Sequence, residues 1–363
     1  MAAPTTPSWT PIDISPFLVA DATDADRARV VDEVSRAFET LGFLLISHHG
    51  VDASVWEGVH MAAGNFFGQP DQVKRTCFVN RAPVPRGYSA SGKENFAILS
   101  LTNQSKPNDL VEKYRMGPPT SRPSTDDSSS KDAQMMFYPN IWPQHDDGAL
   151  QAAMERSYAA MRALSTTLFR IFAACLGLPH DFFVSKTTHP THILSVNHYP
   201  PLGPQVQPGQ LRLAQHTDVD IFTIVCPDYG DAFGCLQIED VINGRWLSVP
   251  VLPDTLVVNL GDCFKFWTNG MWQSTSHRVM NPDSDDGRAA SRQSIAFFVG
   301  ANYDAPLECL GGRCCDADSC GHHGHGVHTY VMWRKMRVKQ AMTQLKKKGP
   351  PPTTTVGSKP EKG

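Results

Sequence analysis

Apolar positions along this chain change their period about half-way. Between Asp21 and Phe43, residues Val30, Val31, Val34, Ala37, Phe38 and Leu41 recur at three- and four-residue steps, the spacing of one helix face. Thr23 or Asp21 is placed to cap that helix, and Gly42 to end it. "FLLISHHG" then predicts a short strand, and "SVWEGVHMAAGNFFGQP" a second helix stopped by Gly68 and Pro70. From Leu150 through Met154, Tyr158, Met161, Leu164, Leu168 and Phe172 to Cys175 the same stepping predicts a long amphipathic helix ending at Gly177 and Pro179. Its stripe is core rather than a cofactor box.

Beyond that helix the period shortens to two. "HILSVNHY", "LRLAQHT", "IFTIVC", "GCLQIED", "RWLSVP", "TLVVNLGD", "HRVMNP" and "RQSIAFFV" are strand candidates split by Pro, Gly, Asn and Asp. Short strands in such a series predict a sandwich, jelly roll or small barrel, and helices followed by strands make the chain α+β. After Tyr330, "VMWRKMRVKQAMTQLKKK" predicts a closing helix. The expected organisation is a mostly helical region with one strand over 1–116 and a low-complexity Pro/Ser/Asp-rich surface loop over 117–133. The long helix and strand-rich core follow over 134–310, then a Cys/His-rich loop and helix over 311–348 and a disordered tail over 349–363.

Composition narrows the function class. The 363 residues are 41% hydrophobic and 19% charged with net charge -3, which leaves no electrostatic footprint for nucleic acid or an anionic membrane. No apolar run approaches the roughly 20 residues that span a bilayer, and no basic segment followed by an apolar leader opens the chain. The nine cysteines are an odd number, several of them isolated in apolar segments, and read as reduced thiols. A cytoplasmic monomer acting on a small molecule is the expectation.

Chemistry enters with "LRLAQHTDVDIFTI", residues 211–224. In a strand, His216 and Asp218 share a face, and an imidazole beside a carboxylate among apolar neighbours is costly to bury unless paired or metal-bound. His277, in "STSHRVMNP", adds a third donor. Two imidazoles and one carboxylate form the facial set that suits non-haem Fe(II) and leaves three positions open. Zinc accepts the same donors, and a hydrogen-bonded core network is the bland alternative. Arg292 and Ser294, in "SRQSIAFFV", again share a strand face. A guanidinium fork there can grip a carboxylate, such as the far end of 2-oxoglutarate, with the serine hydroxyl adding a hydrogen bond. The bland alternative is a salt bridge at a sheet edge. "GKEN" and "EK" suggest a pocket that is not wholly apolar.

These motifs, together with "IDISPF", "AFETLGFLLISHHGVD", "RGYSASGKENFA", "NDLVEKYRMG", "SVNHYPP" and "LVVNLGDCFKFWTNGMWQSTSHRVMNP", strongly resemble the Fe(II)/2-oxoglutarate-dependent dioxygenases of the isopenicillin N synthase-like superfamily over roughly residues 10–310. The resemblance implies a distorted double-stranded β-helix (jelly roll) core flanked by N-terminal and long central helices, with the metal and co-substrate site in 134–310. It implies Fe(II) on His216, Asp218 and His277, and 2-oxoglutarate on Arg292 and Ser294 with Tyr199 and Asn197 close by. It also places Arg86 and Phe298 at the border of the substrate pocket, although a solvated loop charge and ordinary strand core are the simpler readings of those two. The implied reaction oxidises a substrate C–H bond with O2, by hydroxylation, desaturation or ring closure, and releases succinate and CO2, with ascorbate as reductant. Two alternatives accompany it: a 2-oxoglutarate-independent oxidase of the isopenicillin N synthase or aminocyclopropanecarboxylate oxidase type, and a non-catalytic jelly roll with a zinc-bound Cys/His loop. The segment "CLGGRCCDADSCGHHGHGVHTY", residues 309–330, departs from the family and offers Cys309, Cys314, Cys315, Cys320, His322, His323, His325 and His328 as donors. It contains no clean pair of C-x2-C knuckles, so a flexible surface loop is the favoured reading over a structural zinc site.

Overall fold

The computed structural model describes residues 9–78, 85–99, 106–119, 130–144, 147–230, 234–308, 310 and 329–348. Its strands are β1 (Ile12–Asp13), β2 (Phe43–Ser47), β3 (Gly87–Ser89), β4 (Glu112–Met116), β5 (Ile193–Tyr199), β6 (Leu213–His216), β7 (Phe222–Cys226), β8 (Leu236–Asp240), β9 (Arg245–Ser248), β10 (Leu256–Leu260), β11 (His277–Val279) and β12 (Arg292–Val299). All eight strands expected after the long helix form, as β5 to β12. They divide between two sheets, the larger in the order β1-β2-β10-β7-β12-β5-β4-β3 and the smaller β6-β11-β8-β9. The central four strands of the larger sheet and the four of the smaller make the jelly roll, and the fold is α+β as expected.

The helices are α1 (Asp24–Thr40), α2 (Ala53–Phe67), α3 (Asp71–Lys74), α4 (Lys131–Met136), α5 (Ala149–Cys175), α6 (Asp262–Trp267), α7 (Asp285–Ala289) and α8 (Tyr330–Lys348). Thr23 caps α1 with a reciprocal box to Asp26. Gly42 follows α1 at φ 65, where a Cβ would lie 2.2 Å from the Gln273 carbonyl oxygen, so the turn into β2 requires glycine.

Three differences from the sequence reading have physical causes. The described residues among the first 116 carry four strands rather than one. β1 and β2 extend one edge of the larger sheet and β3 and β4 the other. β4 escaped notice because Glu112, Lys113 and Arg115 make it look solvated, whereas all three are buried. The Pro/Ser/Asp-rich stretch gives way to α4 at Lys131, and residues 120–129 lie outside the described ones. β6 stops at His216, so Asp218 sits in the turn leading to β7 rather than on the strand.

The strand period sorts the two faces of β12. Arg292, Ser294, Ala296 and Phe298 face the space between the sheets, while Ile295, Phe297 and Val299 face the main core under α5. The α5 stripe fills that core. Phe172 is fully buried, with its ring centroid 5.3 Å from Phe38, 5.1 Å from Phe222 and 5.8 Å from Trp272. Phe172→Ala should cost about 3–5 kcal/mol in urea unfolding. Met61→Ala, at a side chain 70% exposed on α2, should cost less than about 0.5 kcal/mol.

Candidate metal and co-substrate site

His216 and His277 face each other directly across β6 and β11, and both are buried. Their ring centroids are 4.3 Å apart. The His216 Nδ1–H donates to the Ala214 carbonyl at 2.8 Å, and the His277 Nδ1–H to the Thr275 carbonyl at 3.1 Å. A carbonyl oxygen only accepts, so each neutral ring carries its proton on Nδ1 and presents a bare Nε2 lone pair. Both Nε2 atoms face Asp218 Oδ1, at 3.6 Å and 3.8 Å. Donor atoms of the three residues lie within 4.8 Å of one another. Burial, reinforced by His277 and opposed by Asp218, pushes the His216 imidazole down to about 3. Burial alone would raise the Asp218 carboxyl, but attraction to either imidazole in its charged form and the hydrogen bonds from Thr223 and Asn259 hold it below its ordinary value.

The other oxygen of Asp218 is committed elsewhere. Oδ2 accepts from Thr223 Oγ1 on β7 at 2.5 Å and from Asn259 Nδ2 on β10 at 2.8 Å. The turn that carries Asp218 is held from two sides. The Asp262 N–H at the start of α6 donates to the Asp218 carbonyl at 2.7 Å, and the Gly261 N–H to the Ile221 carbonyl at 2.8 Å. A Cβ at Gly261 would meet the Asp220 carbonyl oxygen at 2.1 Å, so this approach too requires glycine. From α8, the Tyr330 hydroxyl donates to Asp220 at 2.6 Å, Trp333 Nε1 donates to the Val219 carbonyl at 3.1 Å, and Arg337 pairs with Asp262.

A cavity opens from these three residues between the sheets. The larger sheet supplies Arg292 and Ser294 on β12, directly opposite Tyr199 and Asn197 on β5. All four are buried and line the cavity. The Arg292 guanidinium lies 5.0 Å from the Tyr199 ring centroid. Asn197 Nδ2 donates to Ser294 Oγ at 3.4 Å. Burial raises the Tyr199 phenol, with Arg292 and Ser294 acting against that.

Residues 11–145 match the family model described as the non-haem dioxygenase in morphine synthesis N-terminal region, and residues 190–301 match the 2OG-Fe(II) oxygenase superfamily. A 2-oxoglutarate-dependent dioxygenase of Monascus ruber is 31% identical over 90% of this chain and 96% of its own. The chain belongs to the 2-oxoglutarate-dependent dioxygenases. The validamycin A dioxygenase of Streptomyces hygroscopicus subsp. limoneus is 31% identical over 82% of this chain and 78% of its own. A full-length Neurospora crassa protein solved in complex with alpha-KG superposes with a TM-score of 0.75 at 26% identity, covering 90% of this chain and 95% of that one. A dioxygenase of this family works with Fe(II) and 2-oxoglutarate. The donor set fits a divalent ion: two neutral nitrogen lone pairs and one carboxylate oxygen converge with no proton left to share.

Of the remaining sequence candidates, Phe298 lines the cavity of this dioxygenase and Arg86 does not. Arg86 is buried behind Gly117, where a Cβ would lie 2.0 Å from the guanidinium. It donates to the Met136 carbonyl at 3.1 Å and lies over the Tyr138 ring at 5.0 Å from its centroid. These contacts pack it against the segment that follows β4 and the end of α4. Cys309 and residues 311–328, which hold the candidate zinc donors, lie outside the described residues.

Sequence reasoning missed Phe96, Lys113 and the carboxylates beside them. Phe96 sits edge-on to His216 at 5.0 Å, and Lys113 Nζ lies 3.6 Å from the Phe96 ring centroid. The "GKEN" and "EK" signals pointed at this corner without resolving it. Burial pushes the Lys113 ammonium down to about 8, with Glu94 pulling the other way. Burial would raise Glu94, but Arg115 and then Lys113 hold its carboxyl well below the usual range. Asp109 ties Phe96 to β6 by accepting the Phe96 N–H at 2.7 Å and the Ala214 N–H at 2.8 Å.

Burial raises the Asp109 carboxyl to about 6, with both backbone N–H groups opposing. Because this folded value lies above the unfolded one, its contribution to stability is complete below about pH 4 and is lost as pH rises through 6. Relative to Asp109→Asn, the wild type should therefore gain about 2–3 kcal/mol between pH 7 and pH 4. Urea unfolding of both proteins across that range checks this.

Proposed function

We propose that His216, Asp218 and His277 hold the Fe(II) of this dioxygenase on one face. Arg292 and Ser294, with Tyr199 and Asn197, would receive the far carboxylate of 2-oxoglutarate. The observation that carries this reading is the pinning of both Nδ1 atoms to backbone carbonyls, which turns both Nε2 lone pairs toward the free oxygen of Asp218.

When bound, Fe(II) with 2-oxoglutarate and O2 supplies the oxidant for a substrate C–H bond, with succinate and CO2 as by-products. The chain's own residues bind, orient and exclude water. Thr223 and Asn259 keep the Asp218 carboxylate turned so that one oxygen stays available. Arg292 offers a planar fork that suits a carboxylate better than an ammonium would. Phe43, seated edge-on to His277 at 5.4 Å, and Phe96 wall the two imidazoles from solvent. The substrate would lie against Phe298, and the names of relatives, validamycin A dioxygenase among them, favour a small molecule. Its own chemistry decides between hydroxylation, desaturation and ring closure. Ascorbate would serve as reductant.

Among the described residues no helix is long and apolar enough to cross a membrane, and Cys77, Cys175, Cys226, Cys235 and Cys263 are buried and outside any disulfide. Cysteines outside any disulfide support a reducing, cytoplasmic setting. Size measurement in solution checks the monomer expected from the sequence.

Titrating anaerobic Fe(II) protein with 2-oxoglutarate should produce a visible metal-to-ligand charge-transfer band, absent in His216→Ala. Arg292→Ala should raise the 2-oxoglutarate concentration required by about 100-fold, the equivalent of roughly 3 kcal/mol for a charge-assisted pair. Succinate formation by a wild type that never shows the band would contradict the assignment. Thr223→Val should weaken Fe(II) binding about 10–100-fold while the fold survives, as read by anaerobic metal titration.

A further inference from the structure

Three side chains stand in a row across the larger sheet on the cavity side. Lys113 on β4 lies opposite Asn197 on β5, which lies opposite Ser294 on β12. Lys113 is thus two strands, about 10 Å, from the serine proposed for 2-oxoglutarate. The alternation of β4 sends Glu112 the other way, into contacts with Lys74, Tyr88 and His198. Lys113 faces the cavity and is only 3% exposed.

Its surroundings hold the ammonium in place while leaving donors available. Glu94 is gripped at both oxygens by Arg115, at 2.5 Å and 2.6 Å. Lys113 Nζ stands 3.6 Å from Glu94, within ion-pair range but beyond a hydrogen bond, and lies over the face of Phe96. An ammonium has three N–H donors, and this partner set satisfies them poorly. The other nearby carboxylate, Asp109, is committed to backbone N–H groups. With His216, Asp218 and His277 assigned to the metal and Arg292 to the co-substrate, Lys113 is the remaining ionic group lining the cavity among the described residues, where Phe43, Phe96, Val225, Leu236 and Phe298 supply apolar surface.

We propose that Lys113 receives a carboxylate of the substrate, so that the enzyme acts on an organic acid with an apolar body. One ammonium matches a single carboxylate; a phosphate dianion would call for more donors than this wall supplies. The inference rests on the assignment of Arg292 to 2-oxoglutarate, since otherwise Lys113 could serve the co-substrate. Arg115 keeps Glu94 paired when Lys113 is changed, so neutral variants retain the surrounding ion pair.

The test uses the anaerobic Fe(II)·2-oxoglutarate protein with 3-phenylpropionate, cyclohexanecarboxylate and octanoate, each beside its primary amide. Binding is read from perturbation of the charge-transfer band and independently from the thermal unfolding midpoint. In the wild type at least one acid should bind ten-fold or more tighter than its amide. In Lys113→Met and Lys113→Gln that preference should fall to about one, and in Lys113→Arg it should persist. The 2-oxoglutarate concentration that forms the band should change less than ten-fold in every variant. Absence of any acid preference in the wild type, or its survival in both neutral variants, would overturn the proposal. So would a ten-fold or larger rise in the 2-oxoglutarate requirement of Lys113→Met, which would give Lys113 to the co-substrate. A wild type that forms no band with 2-oxoglutarate would instead count against the Arg292 assignment, and the thermal readout would still decide the acid preference.

Discussion

Two imidazole lone pairs and one carboxylate oxygen are forced toward a single point inside the protein. The rest of the site follows from that constraint. Left to themselves, the buried Asp218 carboxylate and its two neutral neighbours would be an expensive arrangement, because burial penalises the charge and no proton stands between the donors. A divalent ion converts the cost into binding energy. The scaffold blocks the ways in which the side chains could relax. Both rings are tied at Nδ1, the second oxygen of Asp218 is tied to Thr223 and Asn259, and the turn itself is held by α6 and α8.

The two sheets divide the labour. The smaller sheet carries both histidines in register, while the larger one supplies the hydrogen bonds to Asp218 and the polar groups Asn197, Tyr199, Arg292 and Ser294. Their separation creates the cavity, and the aromatic core between α5 and the larger sheet backs β7 from the opposite face. Packing under α5 therefore reaches the chemistry through the positions of β7, β10 and β12 rather than through direct contact. Interiors are close-packed and transmit such displacements.

Much of this was legible from residue order because the relevant signals are local. Period-two runs broken by Pro, Gly and Asn marked β5 to β12, and His216, Asp218, His277, Arg292 and Ser294 stood out as ionic or polar groups within apolar runs. Asp218 meets His216 as their spacing suggested but by a different route, since β6 ends at His216 and the turn, rather than strand alternation, brings the carboxylate back. β4 was illegible because its charges are neutralised by partners 19 or more residues away, Glu94 for Lys113 and Arg115 and Lys74 for Glu112, and single-strand patterning carries no trace of them. Arg86 illustrates the converse. A charge in a turn-like "VPRGY" does not reveal whether it faces ligand, solvent or, as here, a glycine just past the end of β4.

X-ray absorption at the iron edge of the anaerobic Fe(II) protein tests the central claim most directly. A six-coordinate shell of nitrogen and oxygen with the scattering of two imidazoles is the predicted result. A four-coordinate centre, or sulfur scattering near about 2.3 Å from cysteine thiolates, would contradict it.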